Sequence, residues 1–354
     1  MLRNLIDRGA KAERFIFLEY FILAEGKLWD ELEKILCAKA REGVEVKIIF
    51  DDFGNIKRFS GETIDRLREV GVEVFIFNPV HEYVNRLHFN YRDHRKIACI
   101  DGDVAYTGGV NIADEYANLI ERFGYWKDSG VCLEGEGAWG LTASFIRMCV
   151  NLGGVMHNEH DYYRPHTPVK SEGFCQPFTD GPQNNPDNPA EDVFLQMISG
   201  ARRFLYITTP YFIPDESLMR ALCIAGDGGV DVRLMLPGKP DHWYADCVAE
   251  SYFGELIKHG VKVYRYTPGF LHGKSIMVDR EAAFVGSANM DYRSFELDYE
   301  CGVMVYSAPM IESLLEDMDM IVDRSHLVTA EEWAKRSVLR RVFEPLLRLF
   351  AIWM

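Results

Sequence analysis

The 354-residue chain has no Cys-x-x-Cys pair, no apolar run long enough to span a bilayer and no excess of positive charge. Each absence closes off a class of function. The eight cysteines, at 37, 99, 132, 149, 175, 223, 247 and 301, are scattered, and several sit in apolar runs such as "KIACI" and "SGVCLEG". That distribution reads as buried, reduced thiols of a cytosol-facing protein, not as a disulfide framework or a zinc site. With 39 Lys and Arg against 54 Asp and Glu, the formal charge of −15 argues against a general nucleic-acid binder. It still admits a phosphate substrate, because a pocket needs only a few local cations. Neither a secretory signal nor a membrane-spanning stretch is expected.

What the chain does have is a sentence written twice. "HRKIACIDGDVAYTGGVN" begins at His94 and "HGKSIMVDREAAFVGSAN" at His272. Each places Lys two residues on (Lys96, Lys274), Asp at seven (Asp101, Asp279), Gly at fourteen and Asn at seventeen (Asn111, Asn289). The flanks repeat as well: "ERFIFLEYFI" resembles "RRFLYITTPYFI", and "VEVKIIF" and "VEVFIF" match "VDVRLML" and "VKVYRY". Each half reads as strand, helix, strand, helix, strand, then a hairpin carrying the motif around "DGD" or "DRE". The order predicts parallel strands covered by helices, extended by the hairpin into a mixed sheet. The expected fold is α/β: two pseudo-symmetric units at 1–157 and 191–326, a Pro/Asn-rich linker at 158–190 and a tail at 327–354.

Residues two apart on a strand share a face, so His94 and Lys96 point together with Ala98 and Ile100, while Ile97 and Cys99 take the other side. Neutral imidazole is a nucleophile toward phosphorus, and imidazolium is a proton donor. Ammonium and amide groups hold non-bridging phosphate oxygens as charge builds on them. Two such sets facing each other form one phosphate pocket, with Gly109 and Ser287 leaving room for the substrate. Asp101 and Asp279 belong to the same motif set, but they fall at the strand ends and suit a supporting or turn-stabilising role.

These residues are identified as the two His-x-Lys-x4-Asp motifs of the phospholipase D superfamily. "GGVNIADEY", "GYWKDSGVCLEGEGAW", "TPYFIPD" and "GSANMDYRSFELDYE" resemble its bacterial cardiolipin synthase branch, and Asp298 stands where that branch commonly has Asn. The resemblance implies a phosphatidyl transferase with two phospholipase D-like domains and one active site at their interface. It implies two phosphatidylglycerol molecules as substrates, a phosphohistidine intermediate, release of glycerol, and no cofactor or metal. By analogy His94 is the nucleophile and His272 the acid and base, although near-symmetry also allows the reverse. Lys96, Lys274, Asn111 and Asn289 form the phosphate-binding set. Hydrolysis of a phosphodiester, as a phospholipase or nuclease, is the alternative reaction, and a non-enzymatic membrane scaffold is a third reading.

The branch commonly opens with transmembrane helices, so this chain is expected to be a short form or part of a longer one. It is expected to work peripherally on the cytoplasmic face of a bacterial membrane. The tail stripe Val338, Val342, Leu346, Leu349 and Trp353, with Arg340, Arg341 and Arg348 beside it, suits either an anionic bilayer or docking on the second domain. His157, His160 and His166 read as loop histidines, and His242 and His259 as non-catalytic. Arg92, Arg95, Arg122 and Arg293 are candidates to steer phosphate, with Arg95 favoured as a structural ion pair. Glu115, Glu296 and Glu300 suit salt bridges or orientation of a histidine. Glu19, Tyr20, Tyr211, Tyr125 and Trp126 are weighed as pocket lining.

Overall fold

The computed structural model describes residues 1–80, 90–157, 161–170, 173–306, 309–337 and 347–348. The first half supplies β1 (Phe15–Tyr20), β2 (Glu45–Asp51), β3 (Glu73–Phe77), β4 (Arg92–Asp93), β5 (Lys96–Ile100), β6 (Val104–Gly108), β7 (Tyr125–Lys127) and β8 (Gly130–Glu134). The second supplies β9 (Phe174–Asp180), β10 (Phe204–Thr208), β11 (Phe212–Ile213), β12 (Asp231–Pro237), β13 (Lys262–Tyr266) and β14 (Gly269–Leu271). It continues with β15 (Ser275–Val278), β16 (Ala282–Gly286), β17 (Met290–Asp291), β18 (Asp298–Tyr306) and β19 (Ser325–Leu327).

Sheet order is β3-β2-β1-β5-β6-β8 in the first half and β19-β13-β12-β10-β15-β16-β18 in the second. In both, three parallel strands joined through helices continue into an antiparallel hairpin that carries the repeated motif. The expected mixed sheets and duplication are therefore present. Strand β9 lies within the stretch read as linker and pairs along its whole length with β18. Its residues "FCQPFTD" show no clean apolar alternation, which is why they read as loop.

The alternation on β5 sorts the core as expected. Ala98 and Ile100 pack outward, toward the helix Lys27–Arg41 with its buried stripe Leu28, Trp29, Leu32 and Leu36. Ile97 and Cys99 face inward, into a core shared with Met277, Val285 and Val303 of the second half. The two sheets thus share the central core, while helices Pro189–Gly200, Glu216–Asp227 and Trp243–Lys258 cover the second sheet outside. All eight thiols are free: Cys99, Cys149, Cys223 and Cys301 are buried, but Cys132 is exposed.

The motif aspartates account for the hairpins. Asp101 and Gly102, and likewise Asp279 and Arg280, take positive φ at successive positions. These are the two central positions of a tight turn, in which Asp-Gly is favoured. Within three-residue loops, the turns are closed by Asp103 N–H on the Ile100 carbonyl and Glu281 N–H on the Val278 carbonyl. The Asp101 carboxylate accepts from the backbone N–H groups of Glu13, Arg14 and Phe15, at 2.9, 2.7 and 2.9 Å. Asp279 accepts from Arg202, Arg203 and Phe204 at 2.8, 2.9 and 2.8 Å. Each Asp ties its hairpin to the start of the neighbouring central strand. Neither is among the residues of the pocket described below; although they share the motif with the histidines and lysines, their carboxylates are taken up by backbone N–H groups at the turns.

Burial works to raise the Asp279 carboxyl, but three backbone donors outweigh it and hold it below its usual range. Its contribution is present above the ordinary carboxylate pKa and fades as acid protonates the folded form. Asp279→Ala is expected to cost about 2–3 kcal/mol near pH 7, measured by urea unfolding, with a smaller difference from the parent below pH 3. An unchanged unfolding midpoint would deny the carboxylate this role.

Candidate active site

Each motif histidine sits on a short strand lent to the opposite half. β4, just before His94, pairs with β18 of the second half, and β14, just before His272, pairs with β7 of the first. The backbone N–H of His94 donates to the Tyr299 carbonyl at 2.9 Å, and that of His272 to the Lys127 carbonyl at 2.6 Å. The next residue along each partner strand supplies a carboxylate. His94 Nδ1 lies 2.8 Å from Glu300 Oε1, and His272 Nδ1 lies 2.7 Å from Asp128 Oδ2. Each carboxylate fixes Nδ1 and leaves Nε2 as the ring's reactive edge.

Both imidazoles line one pocket of about 740 Å³, together with Asn111 and Asn289. Lys274 Nζ lies 2.8 Å from His272 Nε2, and Lys96 Nζ donates to the His94 carbonyl. Asn111 Oδ1 accepts from Ile22 N–H at 3.0 Å and its Nδ2 donates to the Tyr116 hydroxyl at 2.8 Å. Gly109 and Ser287 stand beside the carboxylates, not against the open pocket. A Cβ at Gly109 would meet Asp128 Oδ1 at 2.2 Å. The Ser287 hydroxyl donates to Glu300 Oε2. Both positions therefore support the carboxylates, in place of the substrate-contact role expected of them.

The electrostatics of the two pairs differ. Burial, then Lys96, Lys274 and His272, push the His94 imidazole well below its usual pKa. Burial and Lys274 lower His272 to about 4, against the pull of Asp128. Burial also brings Lys274 down to about 7 and Lys96 to about 8. Burial works to raise Asp128, but the charges of His272 and Lys274 hold its carboxyl low, whereas burial lifts Glu300 to about 7 despite Lys96. His272 therefore faces a firm negative charge and His94 a weaker one. The arrangement suits His94 to act as a neutral nucleophile and His272 to stabilise an added proton.

The walls differ too. Tyr116, Trp126 and Phe270 stack around His272 with ring centroids at 5.4, 5.3 and 5.6 Å, and Phe21 meets His94 at 5.0 Å. Arg122 and Arg293 line the pocket, but Arg92 pairs with buried Asp51 at 3.4 Å. Arg95 pairs with Glu19 and Asp93, as its opposite-face position predicts. Glu115 pairs with Arg58 and Arg122, and Glu296 accepts from Asn188. Tyr125 is not among the residues of this pocket. His157 stacks on Tyr162, His166 lies by Arg14, and His160 is outside the described residues. His259 pairs with Asp227, whereas His242 lines the pocket. Among the described residues, His94, Asp298 and Glu300 are the one trio whose ligand atoms lie within 4.8 Å of one another. His94 and Glu300 are already bonded together and Asp298 to Arg293.

Two expectations about the strand ends needed revision. Glu19 and Tyr20 are fully buried in the core, while Tyr211 lines the pocket. Leu23 bridges to Ile112 where Phe212 pairs with Met290, so the two "YFI" words are out of structural register and Tyr211 occupies the place of Ile22. Asp128 was not foreseen as a site residue. Its signal was the match of "DSGV" to "ECGV", which aligns Asp128 with Glu300.

An anion is the natural complement to a site in which Lys96 and Lys274 lower both histidines and Lys96 lowers Lys274. Sulfate is expected to bind with uptake of about one proton at pH 8, because it raises the pKa values of Lys96 and Lys274. Calorimetry in buffers of different ionisation heat checks this, and heats independent of buffer would refute it. Asp128→Asn is expected to lower turnover by about 10²–10⁴.

The family model described as cardiolipin synthase, PLD-like domain matches residues 5–121 and 194–322. An uncharacterized protein of Streptococcus mutans is 38% identical over 345 residues, covering 96% of this chain and 74% of its own. Cardiolipin synthase 2 of Bacillus anthracis is 36% identical over 349 residues, covering 98% and 67%. In fold, the chain is similar to the crystal structure of phosphatidylserine synthase from Haemophilus influenzae, with a TM-score of 0.71 at 15% identity, covering 99% of this chain and 89% of that one. With its two matched segments folded around one shared pocket, the chain belongs to the cardiolipin synthase family of the phospholipase D superfamily.

Proposed function

We propose that this phosphatidyltransferase joins two phosphatidylglycerol molecules into cardiolipin and releases glycerol. The observation that carries the reading is the pair of crossed imidazole–carboxylate bonds around one pocket. His94 Nε2 attacks the phosphorus of the first lipid, the bond to its glycerol headgroup breaks, and His272 gives that oxygen its proton. His272 then takes the proton from a headgroup hydroxyl of the second lipid. The resulting oxygen attacks phosphorus and the P–N bond to His94 breaks. Lys96, Lys274, Asn111 and Asn289 hold the non-bridging oxygens throughout. Binding the anionic phosphodiester opposes the burial that strips protons from the empty site, and so lets His272 start the cycle charged.

A lipid substrate suits the mouth of the pocket. Phe53 and Tyr244 line it at 56% and 37% exposure, and Trp243 beside them is 64% exposed. Such a rim favours a bilayer surface, which spares the acyl chains from water. Among the described residues no helix is long and apolar enough to cross a membrane. We assign the enzyme a peripheral position on the cytoplasm-facing side of a bacterial membrane. Of the tail, Leu347 packs on the second-half core and Arg348 lies over Tyr252; 338–346 and 349–354, with the rest of the proposed basic stripe, lie outside the described residues.

Purified protein incubated with phosphatidylglycerol vesicles is expected to yield cardiolipin and free glycerol in equal amounts. Phosphatidic acid as the main product would replace transfer by hydrolysis, and no turnover would remove the enzymatic reading. His94→Ala and His272→Ala are each expected to lower the rate by about 10³-fold or more. A labelled phosphoryl adduct should form on His94 and be absent from His94→Ala.

A further inference from the structure

The pocket holds more hydrogen-bond acceptors than the phosphate chemistry uses. Among its described lining residues, three buried oxygens have no partner: Asp241 Oδ1, Asn289 Oδ1 and Asp298 Oδ1. No lining nitrogen is left open in the same way. Buried acceptors without donors are unfavourable, and the oxygens of an ionised phosphodiester only accept, so they cannot satisfy these groups. The ligand must bring donors of its own. Hydroxyl groups on an alcohol headgroup supply them.

The three acceptors are not equally placed. Asp298 belongs to the His94 side, within 4.8 Å of His94 and Glu300 and with Oδ2 3.3 Å from Arg293 Nε. Asp241 follows β12, at the carboxyl end of a parallel strand, where α/β sheets form their ligand crevices. Its Oδ2 accepts from the Tyr211 hydroxyl at 2.6 Å, which fixes the carboxylate and leaves Oδ1 free. It sits in the half that carries His272: Tyr211, from which it accepts, follows β10, and β10 pairs with β15 just after His272. If His94 attacks, in-line displacement puts the departing and arriving alcohols opposite it, beside His272.

We propose that Asp241 reads the headgroup. Its open Oδ1 accepts a hydrogen bond from a second hydroxyl of the alcohol reacting at His272, which selects polyols such as glycerol over alcohols with a single hydroxyl. This rests on the assignment of His94 as nucleophile and His272 as proton donor.

The full chain is supplied with phosphatidylglycerol in vesicles and with labelled glycerol, ethanol or ethanolamine as competing acceptors. The parent is expected to favour glycerol over ethanol, and Asp241→Leu to reduce that ratio by about 10- to 100-fold. Asp241→Asn removes the charge but keeps an acceptor oxygen, and is expected to reduce it by less than about fivefold. Asp298→Leu is expected to move the ratio by less than about twofold. An unchanged ratio in Asp241→Leu, or a change in Asp298→Leu alone, would overturn the proposal. A larger loss for ethanolamine than for glycerol would overturn the polyol assignment. Should the protein only hydrolyse lipids, transfer fails, but the headgroup is still read by consumption of phosphatidylglycerol against phosphatidylethanol. Loss of that preference in Asp241→Leu then supports Asp241, and its persistence refutes it.

Discussion

Two hydrogen bonds that cross between the halves hold the site together: those joining His94 with Glu300 and His272 with Asp128. An imidazole this buried needs a partner at Nδ1, or its ring orientation and tautomer are left unset. Neither half meets that need from its own chain. The crossing is built into the backbone, because the short strands before each histidine pair with the opposite half and place the carboxylate one residue beyond the anchoring carbonyl. Separated halves would each carry an unpartnered histidine and an unpartnered buried carboxylate. The duplication makes one site only when both copies are present.

Within that shared frame, the two halves have diverged where the chemistry needs unlike partners. Gly109 leaves space that the Asp128 carboxylate fills, while at the matching place the Ser287 hydroxyl donates to Glu300. Ser294 donates to Glu300 as well, at 2.9 Å. A carboxyl near pH 7 in its titration makes a softer partner than one held low. A nucleophile must keep its lone pair and an acid must gain a proton, so unequal carboxylates on equal backbones suit the two roles proposed for His94 and His272.

Much of the fold was readable because it rests on local patterns. The β5 alternation and the helix stripe at Leu28, Trp29, Leu32 and Leu36 follow from periods of 2 and 3.6 residues, and the Asp-Gly turn from the positive φ its two residues tolerate. His94, Lys96, His272 and Lys274 were legible for another reason: polar residues repeated at fixed offsets on apolar strands. Asp128 was not, since its partner lies 144 residues away and nothing in a single copy of the motif points across to it. Tyr211 and Tyr20 share a word but not a place: the sheet registers match Phe17 with Tyr206 and Leu23 with Phe212, so the two words sit two residues apart on backbones of equal length, and no side-chain period records that. Strand β9 pairs with an edge of the second sheet through its backbone, and backbone pairing asks little of side chains such as Gln176 and Pro177.

The charge pattern then explains why so acidic a chain can take an anionic substrate. Its surplus of 15 negative charges is spread over the molecule, whereas two histidines line the pocket with Lys96 and Lys274 buried behind them, and both lysines oppose protonation of the histidines. Mobile counter-ions are a poor remedy there, because the groups are buried and screening acts mainly on exposed charge. A phosphodiester is the better one. On the proposed mechanism it restores protons to the lysines and charges the imidazole that faces Asp128, while the one facing Glu300 stays the more readily neutral. The unpaired acceptors lie in the same pocket, where phosphate cannot satisfy them, and on the proposed reading they meet the part of the substrate beyond the phosphorus. Donors for the phosphate and acceptors for the headgroup thus divide one cavity by the chemistry of the two ends they meet.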